Sequence, residues 1–213
     1  PKTRNSFIKP IVSLAKNNAA QIIKNHLSKR EKYAFAYQEL SEKLGIKRIE
    51  RIDAFDISHQ YMQQGVGSCV VFAESGPSKK DYRLFNISND IAGNDIASME
   101  HVISRRLKYY EDQKPDLILI DGGRTQLNFT NKILKNFGME KIIVLGIAKG
   151  MGRVRATETI YTNKGILEID PHSESFKLLN EARDESHRFA TTASRKKIRK
   201  SNKYSVLDTV KGI

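Results

Sequence analysis

Two runs of the sequence lack the alternation of apolar and polar residues that marks a strand with one face in water: DLILID at 116–121 and KIIVLGIA at 141–148. Nearly continuous apolar runs of this length are typical of strands that helices cover on both sides. A helix-forming segment, Arg124 to Phe137, separates the two runs, and strands that alternate with helices pair in parallel. The pattern predicts the middle of an α/β fold, with a sheet between layers of helices.

Three further strand candidates, rich in Val, Ile, Phe and Tyr, come earlier in the chain. They are RIERIDAFDIS (48–58), GVGSCVVFA (65–73) and KDYRLFNIS (80–88). The breaks between them are short enough for consecutive antiparallel pairing. A helix from Asp95 to Tyr110 then leads to the first apolar run. Three antiparallel strands followed by alternating helices and parallel strands is the order of an RNase H-like fold.

Helices are predicted near both ends of the chain. Residues 1–47 lack strand-like alternation and carry two helical patterns, at 11–27 and 33–44, which together predict a helical lead-in. Near the other end, two short strands are expected around the Asn163–Gly165 turn. A long helix from Ser173 to Arg195 is expected to close the domain.

The charge of the chain favours a polyanionic partner. It has 37 basic and 24 acidic residues, a formal net charge of +13, which suits nucleic acid or an acidic membrane surface. No apolar run approaches the roughly 20 residues of a spanning helix, so we favour nucleic acid. The single cysteine, Cys69, excludes disulfides and multi-cysteine metal sites, and a cytoplasmic location is expected.

Two aspartates end predicted strands. Asp56 ends the first strand and Asp121 ends DLILID, directly before Gly122 and Gly123. Ligands of open α/β sheets bind at the carboxyl ends of the strands. If the two strands are neighbours, both carboxylates lie at this edge of the sheet, which we call the rim. Carboxylates held close together repel and are best stabilised by a cation, and such oxygen ligands select Mg²⁺ or Mn²⁺. The alternative is structural, with Asp56 capping a strand and Asp121 starting a turn.

The segment RDESHRFA gathers further polar groups on the last helix. Arg183, Asp184, His187 and Arg188 fall within little more than one helical turn. His187 is a candidate metal ligand or general base, because its helix can pack across the sheet and reach the rim with the two aspartates. The structural alternative is an ion pair between Asp184 and Arg188, four residues apart.

A third acid, Asp95, opens the first helix after the antiparallel strands. An acid at this position usually caps the helix or compensates its dipole. A role in the metal site is the second interpretation of Asp95.

Basic residues lie near the proposed site and could track DNA phosphates without reading sequence. A solvated surface is the alternative. The candidate DNA-binding residues are Arg153, Arg155, Arg188, Arg195, Lys196, Lys197, Arg199 and Lys200.

Taken together and in order, these segments resemble the C-terminal half of the UvrC family, from about Arg51 to Lys200. The motifs that carry the resemblance are RIDAFDISH, GSCVVF, DYRLFNI, GNDIASM, DLILIDGGRTQL, GIAKG and RDESHRFA. The resemblance implies a metal-dependent endonuclease, related to endonuclease V, that hydrolyses a phosphodiester on the 5′ side of a DNA lesion. It implies catalytic roles for Asp56, Asp121 and His187, and a further role in incision for Asp95.

The resemblance also implies a division of the chain and a set of partners. We expect a helical lead-in at 1–47, an RNase H-like endonuclease domain at 48–200, and at 201–213 a linker into a truncated helix–hairpin–helix region. The expected partners are damaged double-stranded DNA and a repair complex dependent on UvrB and UvrA, with UvrB bound through a region outside this sequence. Rival functions are another RNase H-like nuclease, of endonuclease V or RNA–DNA hybrid type, and a non-catalytic DNA-binding repair module.

Overall fold

A computed structural model describes residues 4–58, 65–88, 90–91, 93–110, 113–149 and 158–201. The helices are α1 (Arg4–Leu44), α2 (Asp95–Leu107), α3 (Arg124–Asn136) and α4 (Glu174–Ser201). The strands are β1 (Arg51–Ser58), β2 (Val66–Ala73), β3 (Gly76–Pro77), β4 (Arg83–Asn86), β5 (Leu117–Asp121), β6 (Ile143–Lys149), β7 (Glu158–Thr162) and β8 (Gly165–Leu167). In the described part of the chain, none of the helices has both the length and the apolar character needed to cross a membrane.

All eight strands belong to one sheet, in the order β3-β2-β1-β5-β6-β7-β8, with β4 also paired to β2. Strand β1 is antiparallel to β2 and parallel to β5, and β5 is parallel to β6. The expected mixed α/β sheet, antiparallel first and then parallel, is therefore confirmed. Strand β1 joins the antiparallel part of the sheet to the parallel part. A residue at the end of β1 therefore has an antiparallel strand on one side and a parallel strand on the other.

Apolar residues cover both faces of the sheet, as the DLILID and KIIVLGIA runs predict. One core includes Leu117 and Leu119 of β5 and packs against α1 and α4. The other includes Ile118 and Ile120 and packs against α2 and α3. The side chains of β1 divide in the same way, with Ile52 and Ala54 facing α4. Asp56 has the same parity in β1 and so belongs to the α4 face.

The two helical patterns of the lead-in form one continuous helix, α1. Its last turns enter the core that also holds α4, through buried side chains such as Tyr37 and Leu40. The Tyr33 hydroxyl donates to Glu181 of α4 at 2.6 Å, and the Ser175 backbone N–H donates to Glu39 at 2.9 Å. The end of α1 therefore helps to position α4.

Two predicted elements are shorter than expected. The strand predicted at 80–88 forms only as β4, because a short 3-10 turn at Lys79–Asp81 precedes it, with the Ser78 hydroxyl 2.6 Å from an Asp81 oxygen. Helix α2 ends at Leu107, short of Tyr110. The chain turns there so that the Tyr110 hydroxyl reaches the buried carboxylate of Asp53 at 2.5 Å.

Candidate metal centre

The parallel pairing of β1 and β5 places two aspartates side by side. Phe55 of β1 pairs with Ile120 of β5, and the next residues along the two strands are Asp56 and Asp121. Asp56 is buried, with 7% of its surface exposed, whereas Asp121 is exposed. The expected meeting of the two acids at one rim is what the structure shows.

Helix α4 brings His187 to the same rim. The Nδ1 atom of His187 lies 3.1 Å from Oδ2 of Asp56. One potential ligand atom from each of Asp56, Asp121 and His187 can be chosen so that all three lie within 4.8 Å of one another. His187 keeps 53% of its side chain exposed, so the group opens to solvent.

The donors of this group fit a divalent cation. Two carboxylates contribute the hard oxygen ligands that suit Mg²⁺ and Mn²⁺, and an imidazole nitrogen can serve as a third ligand for a first-row transition-metal ion. Two carboxylates this close also repel each other unless a positive charge stabilises them. The arrangement can therefore hold one cation at an edge of the sheet that a polymeric substrate can approach.

The Gly122–Gly123 turn behind Asp121 is a tight turn. The Gly122 N–H donates to the Ile147 carbonyl at 2.9 Å, and the Gly123 N–H donates to the Gln126 side chain at 3.1 Å. Since both N–H groups already donate within the protein, the turn does not offer them to a phosphate. Glycine is also needed at Gly146, where an added Cβ would lie 2.6 Å from the Gly122 carbonyl oxygen.

Asp95 lies in the first turn of α2 and approaches Asp121 from the opposite face of the sheet. The preceding Asn94 caps the helix by accepting from the N–H groups of Ile96 and Ala97. Asp95, Asp121 and Met99 are among the residues that line a small cavity of about 60 Å³. Asp95 is thus beside the rim but not within the group of Asp56, Asp121 and His187.

The charged residues around His187 do not form the Asp184–Arg188 ion pair of the structural alternative. Arg188 instead donates to Glu185, at 2.6 and 2.8 Å, and its hydrogen bond lowers the pKa of the Glu185 carboxyl. Arg183 bonds both Asp184 and Glu158 of β7. Glu185 can take this place because residues three apart share a helix face as well as residues four apart do.

The predicted DNA-binding residues follow His187 along α4. Arg188, Arg195 and Arg199 are exposed and are spaced by seven and then four residues, which places them on one stripe of the helix. Lys196 is exposed beside that stripe, whereas Lys197 is half-buried and lies on the opposite side of the helix. Arg153, Arg155 and the side chain of Lys200 lie outside the described residues.

A buried charge cluster on β1 was not anticipated from the sequence. Asp53 is fully buried and accepts hydrogen bonds from Arg51, Arg106 and Tyr110, with nearest distances of 2.7, 3.0 and 2.5 Å. The sequence does carry one sign that Asp53 differs from Asp56. The two residues are three apart in one strand, so their side chains point to opposite faces of the sheet.

A mixed sheet with two carboxylates and an imidazole at one rim is an arrangement that can hold a divalent cation. Residues 41–191 match the family model described as the UvrC RNase H endonuclease domain. The chain belongs to this family, so it is an endonuclease domain with an RNase H-like fold, as the sequence predicts.

Individual proteins agree with the family. The chain is 38% identical over 206 residues to the UvrABC system protein C of Pseudomonas putida strain KT2440, covering 94% of this chain and 34% of that protein. It is 37% identical over 209 residues to the protein of the same name from Saccharophagus degradans strain 2-40, covering 95% of this chain and 34% of that protein. The chain thus spans about a third of the length of these relatives.

Solved structures show a more distant likeness. The catalytic domain of human endonuclease V superposes with a TM-score of 0.46 at 10% identity, covering 70% of this chain and 84% of that one. Ciona intestinalis endonuclease V, solved with inosine-containing DNA, also superposes with a TM-score of 0.46 at 10% identity. That superposition covers 85% of this chain and 99% of the other chain.

Proposed function

We propose that this domain hydrolyses a DNA phosphodiester on the 5′ side of a lesion in nucleotide excision repair, as the endonuclease domain of a UvrABC excision nuclease. The observation that carries the proposal is the group of Asp56, Asp121 and His187, whose ligand atoms lie within 4.8 Å of one another. Its substrate would be damaged double-stranded DNA, presented by a complex that depends on UvrA and UvrB.

The cofactor we propose is Mg²⁺ or Mn²⁺, held by Asp56, Asp121 and one ring nitrogen of His187. Such an ion would polarise the scissile phosphate and lower the pKa of a bound water. Asp56 has a second task, because its Oδ2 atom lies 3.1 Å from Nδ1 of His187 and can orient the imidazole. If His187 is not a ligand, the same placement suits it to take a proton from the attacking water.

Asp95 is a further candidate at this site. It shares a small cavity with Asp121 on the α2 side, so it can act on the site through Asp121 or through a group bound beside it. We assign it a supporting role in incision.

The substrate strand would be held by cations of α4. Residues eight apart on a helix are separated by about 12 Å along its axis, which is the separation expected for His187 and Arg195. The stripe of Arg188, Arg195 and Arg199 can therefore follow a phosphate backbone away from the rim. Lys196, Lys197 and Lys200 extend the charge of this helix, and Arg153 and Arg155 are proposed to add to it.

Replacing each rim aspartate tests the proposal. Asp56→Asn and Asp121→Asn are each expected to slow 5′ incision by about 10²–10⁴-fold in a system reconstituted with UvrA, UvrB and lesion-containing duplex DNA. Mn²⁺ binding, measured by calorimetry, should be lost in the same variants. Glu140→Gln is the matched control, because Glu140 is exposed and lies just before β6, at the opposite end of the parallel strands.

Full incision by either rim variant would contradict the assignment of the site. Intact DNA binding without any incision by the unaltered domain would instead favour a non-catalytic DNA-binding module. Incision of undamaged DNA containing inosine, without UvrA or UvrB, would favour an endonuclease V-type enzyme instead.

A further inference from the structure

We propose that Ser68 is a positioning residue that fixes His187 against Asp56 by holding the backbone of α4. This inference rests on the proposed metal site and adds a residue to it. Ser68 belongs to β2, and its cross-strand partner in the antiparallel pair is Asp56. Directly opposed residues share a face of the sheet, so Ser68 and Asp56 both point towards α4.

The Ser68 hydroxyl is bonded to the residue next to His187. Its Oγ donates to the Ser186 carbonyl oxygen at 2.9 Å, and both serines are fully buried. A buried hydroxyl is costly unless it is hydrogen-bonded, so this bond selects one position of α4 along and around its axis. The residue that follows the bonded carbonyl is His187.

The sequence of β2 indicates that the hydroxyl is not there for packing alone. The other α4-facing positions of the strand are Val66, Val70 and Phe72, all of which are buried and apolar. An aliphatic residue at position 68 would bury more apolar surface than a serine does. A single polar side chain beside Asp56 therefore calls for a role that Val or Ala could not fill.

Small residues along α4 make this bond possible. Ala182, Ser186, Ala190 and Ser194 recur every four residues and are all buried. The separation between packed elements depends on the side chains at their contact, so this series lets α4 approach the sheet closely. Close approach allows the short Ser68 side chain to reach a main-chain carbonyl, and it brings Nδ1 of His187 to 3.1 Å from Asp56.

The test compares two buried serines. Ser68→Ala removes the bond to Ser186 and leaves the three proposed ligands in place. Ser41→Ala is the control, because the Ser41 hydroxyl is also buried and donates to a backbone carbonyl, that of Tyr37 at 2.8 Å, but lies in the last turns of α1. The same hydroxyl also accepts from the Ile49 N–H at 3.0 Å, so its removal costs at least as many hydrogen bonds as the removal of the bond between Ser68 and Ser186. Both variants should lower Tm. Only Ser68→Ala should weaken Mn²⁺ binding, by about 10–100-fold, as expected for a residue that orients a ligand.

A second measurement does not require metal. The ring nitrogen resonances of His187, followed by NMR in the metal-free protein, should shift in Ser68→Ala and not in Ser41→Ala. If Ser68→Ala does not fold, Ser68→Cys takes its place, since it keeps nearly the same volume with a weaker donor. It should give a smaller loss of affinity in the same direction.

Wild-type Mn²⁺ affinity in a folded Ser68 variant, or an equal loss in Ser41→Ala, would overturn the positioning role. Asp56→Asn is measured alongside them. If Asp56→Asn also binds Mn²⁺ normally, the metal site itself is wrong; if it loses binding while Ser68→Ala does not, only the role of Ser68 fails.

Discussion

Strand β1 carries two aspartates three residues apart, and the protein surrounds them in opposite ways. Asp53 is fully buried on the α2 face and lies against the guanidinium groups of Arg51 and Arg106. Asp56, on the α4 face, has the carboxylate of Asp121 and the imidazole of His187 within 4.8 Å. The first acid meets cations that the chain itself supplies, whereas the second meets another acid.

The difference separates stability from function along one strand. A buried ion pair costs much to break, because the partner is left as an uncompensated buried charge. A pair of neighbouring carboxylates is held at a cost, and it becomes favourable when a cation binds. We therefore expect variants around Asp53 to change folding and variants around Asp56 to change metal binding and catalysis.

The sharpest test of this contrast exchanges each acid for its amide. Asp53→Asn should lower the free energy of unfolding by about 3–5 kcal/mol, because Arg51 and Arg106 lose the charge that compensates them. Asp56→Asn should leave it nearly unchanged, since it relieves repulsion with Asp121. Urea unfolding of the two variants measures both, and equal losses would show that the two acids do not differ in this way.

His187 extends the contrast to the helix. His187→Ala should reduce 5′ incision at least about 10²-fold, or 2.7 kcal/mol in the barrier, through loss of a ligand or a base. Because 53% of the side chain is exposed, the unfolding free energy should change little. His187→Asp keeps a metal-binding atom and should recover part of the activity with Mn²⁺. An active His187→Ala protein would remove the histidine from the site.

The buried cluster around Asp53 should also make the folded protein less stable at high pH. Burial, followed by the charge of Asp53, raises the pKa of the Cys69 thiol well above its ordinary value of 9.0. The native state therefore keeps a proton that the unfolded chain releases above pH 9, so stability is present below that pH and falls as pH rises. The loss from Cys69 should reach about 1.4 kcal/mol at pH 10. Cys69→Ala should show a smaller loss between pH 8 and 10 in urea unfolding, whereas an unchanged loss would assign the effect to other groups.

The sequence predicts the rim better than it predicts the buried cluster. Asp56 and Asp121 both end apolar strands, and the ends of neighbouring parallel strands must meet, so their proximity follows from local pattern and topology. Asp53 has no such signal for its partners. Arg106 and Tyr110 are more than fifty residues away in the chain, and Tyr110 arrives only because α2 ends early, at Leu107.

The pairing of charges on α4 shows the same limit at short range. Spacing allows either Asp184 or Glu185 to meet Arg188, and spacing alone does not choose between them. The structure chooses Glu185, and Asp184 bonds Arg183, which also reaches Glu158 of β7. The contacts of α4 with the rest of the protein therefore determine which acid pairs with Arg188, and the local sequence does not.

The smallest expected effect concerns the basic stripe of α4, and it tests whether the rim extends into a DNA-binding surface. Replacing Arg195, Lys196 and Arg199 by Gln should weaken DNA binding for all sequences alike, because phosphate contacts carry no sequence information. The slope of log K against log salt should flatten by about 0.7–0.9 for each phosphate that the variant no longer neutralises.

A second triple variant, at Lys114, Lys135 and Lys141, removes the same charge from exposed positions at the opposite end of the parallel strands. If both variants flatten the slope equally, the protein attracts DNA through its net charge; if neither does, the run on α4 is a solvated surface. Only a larger change in the α4 variant places phosphates beside His187.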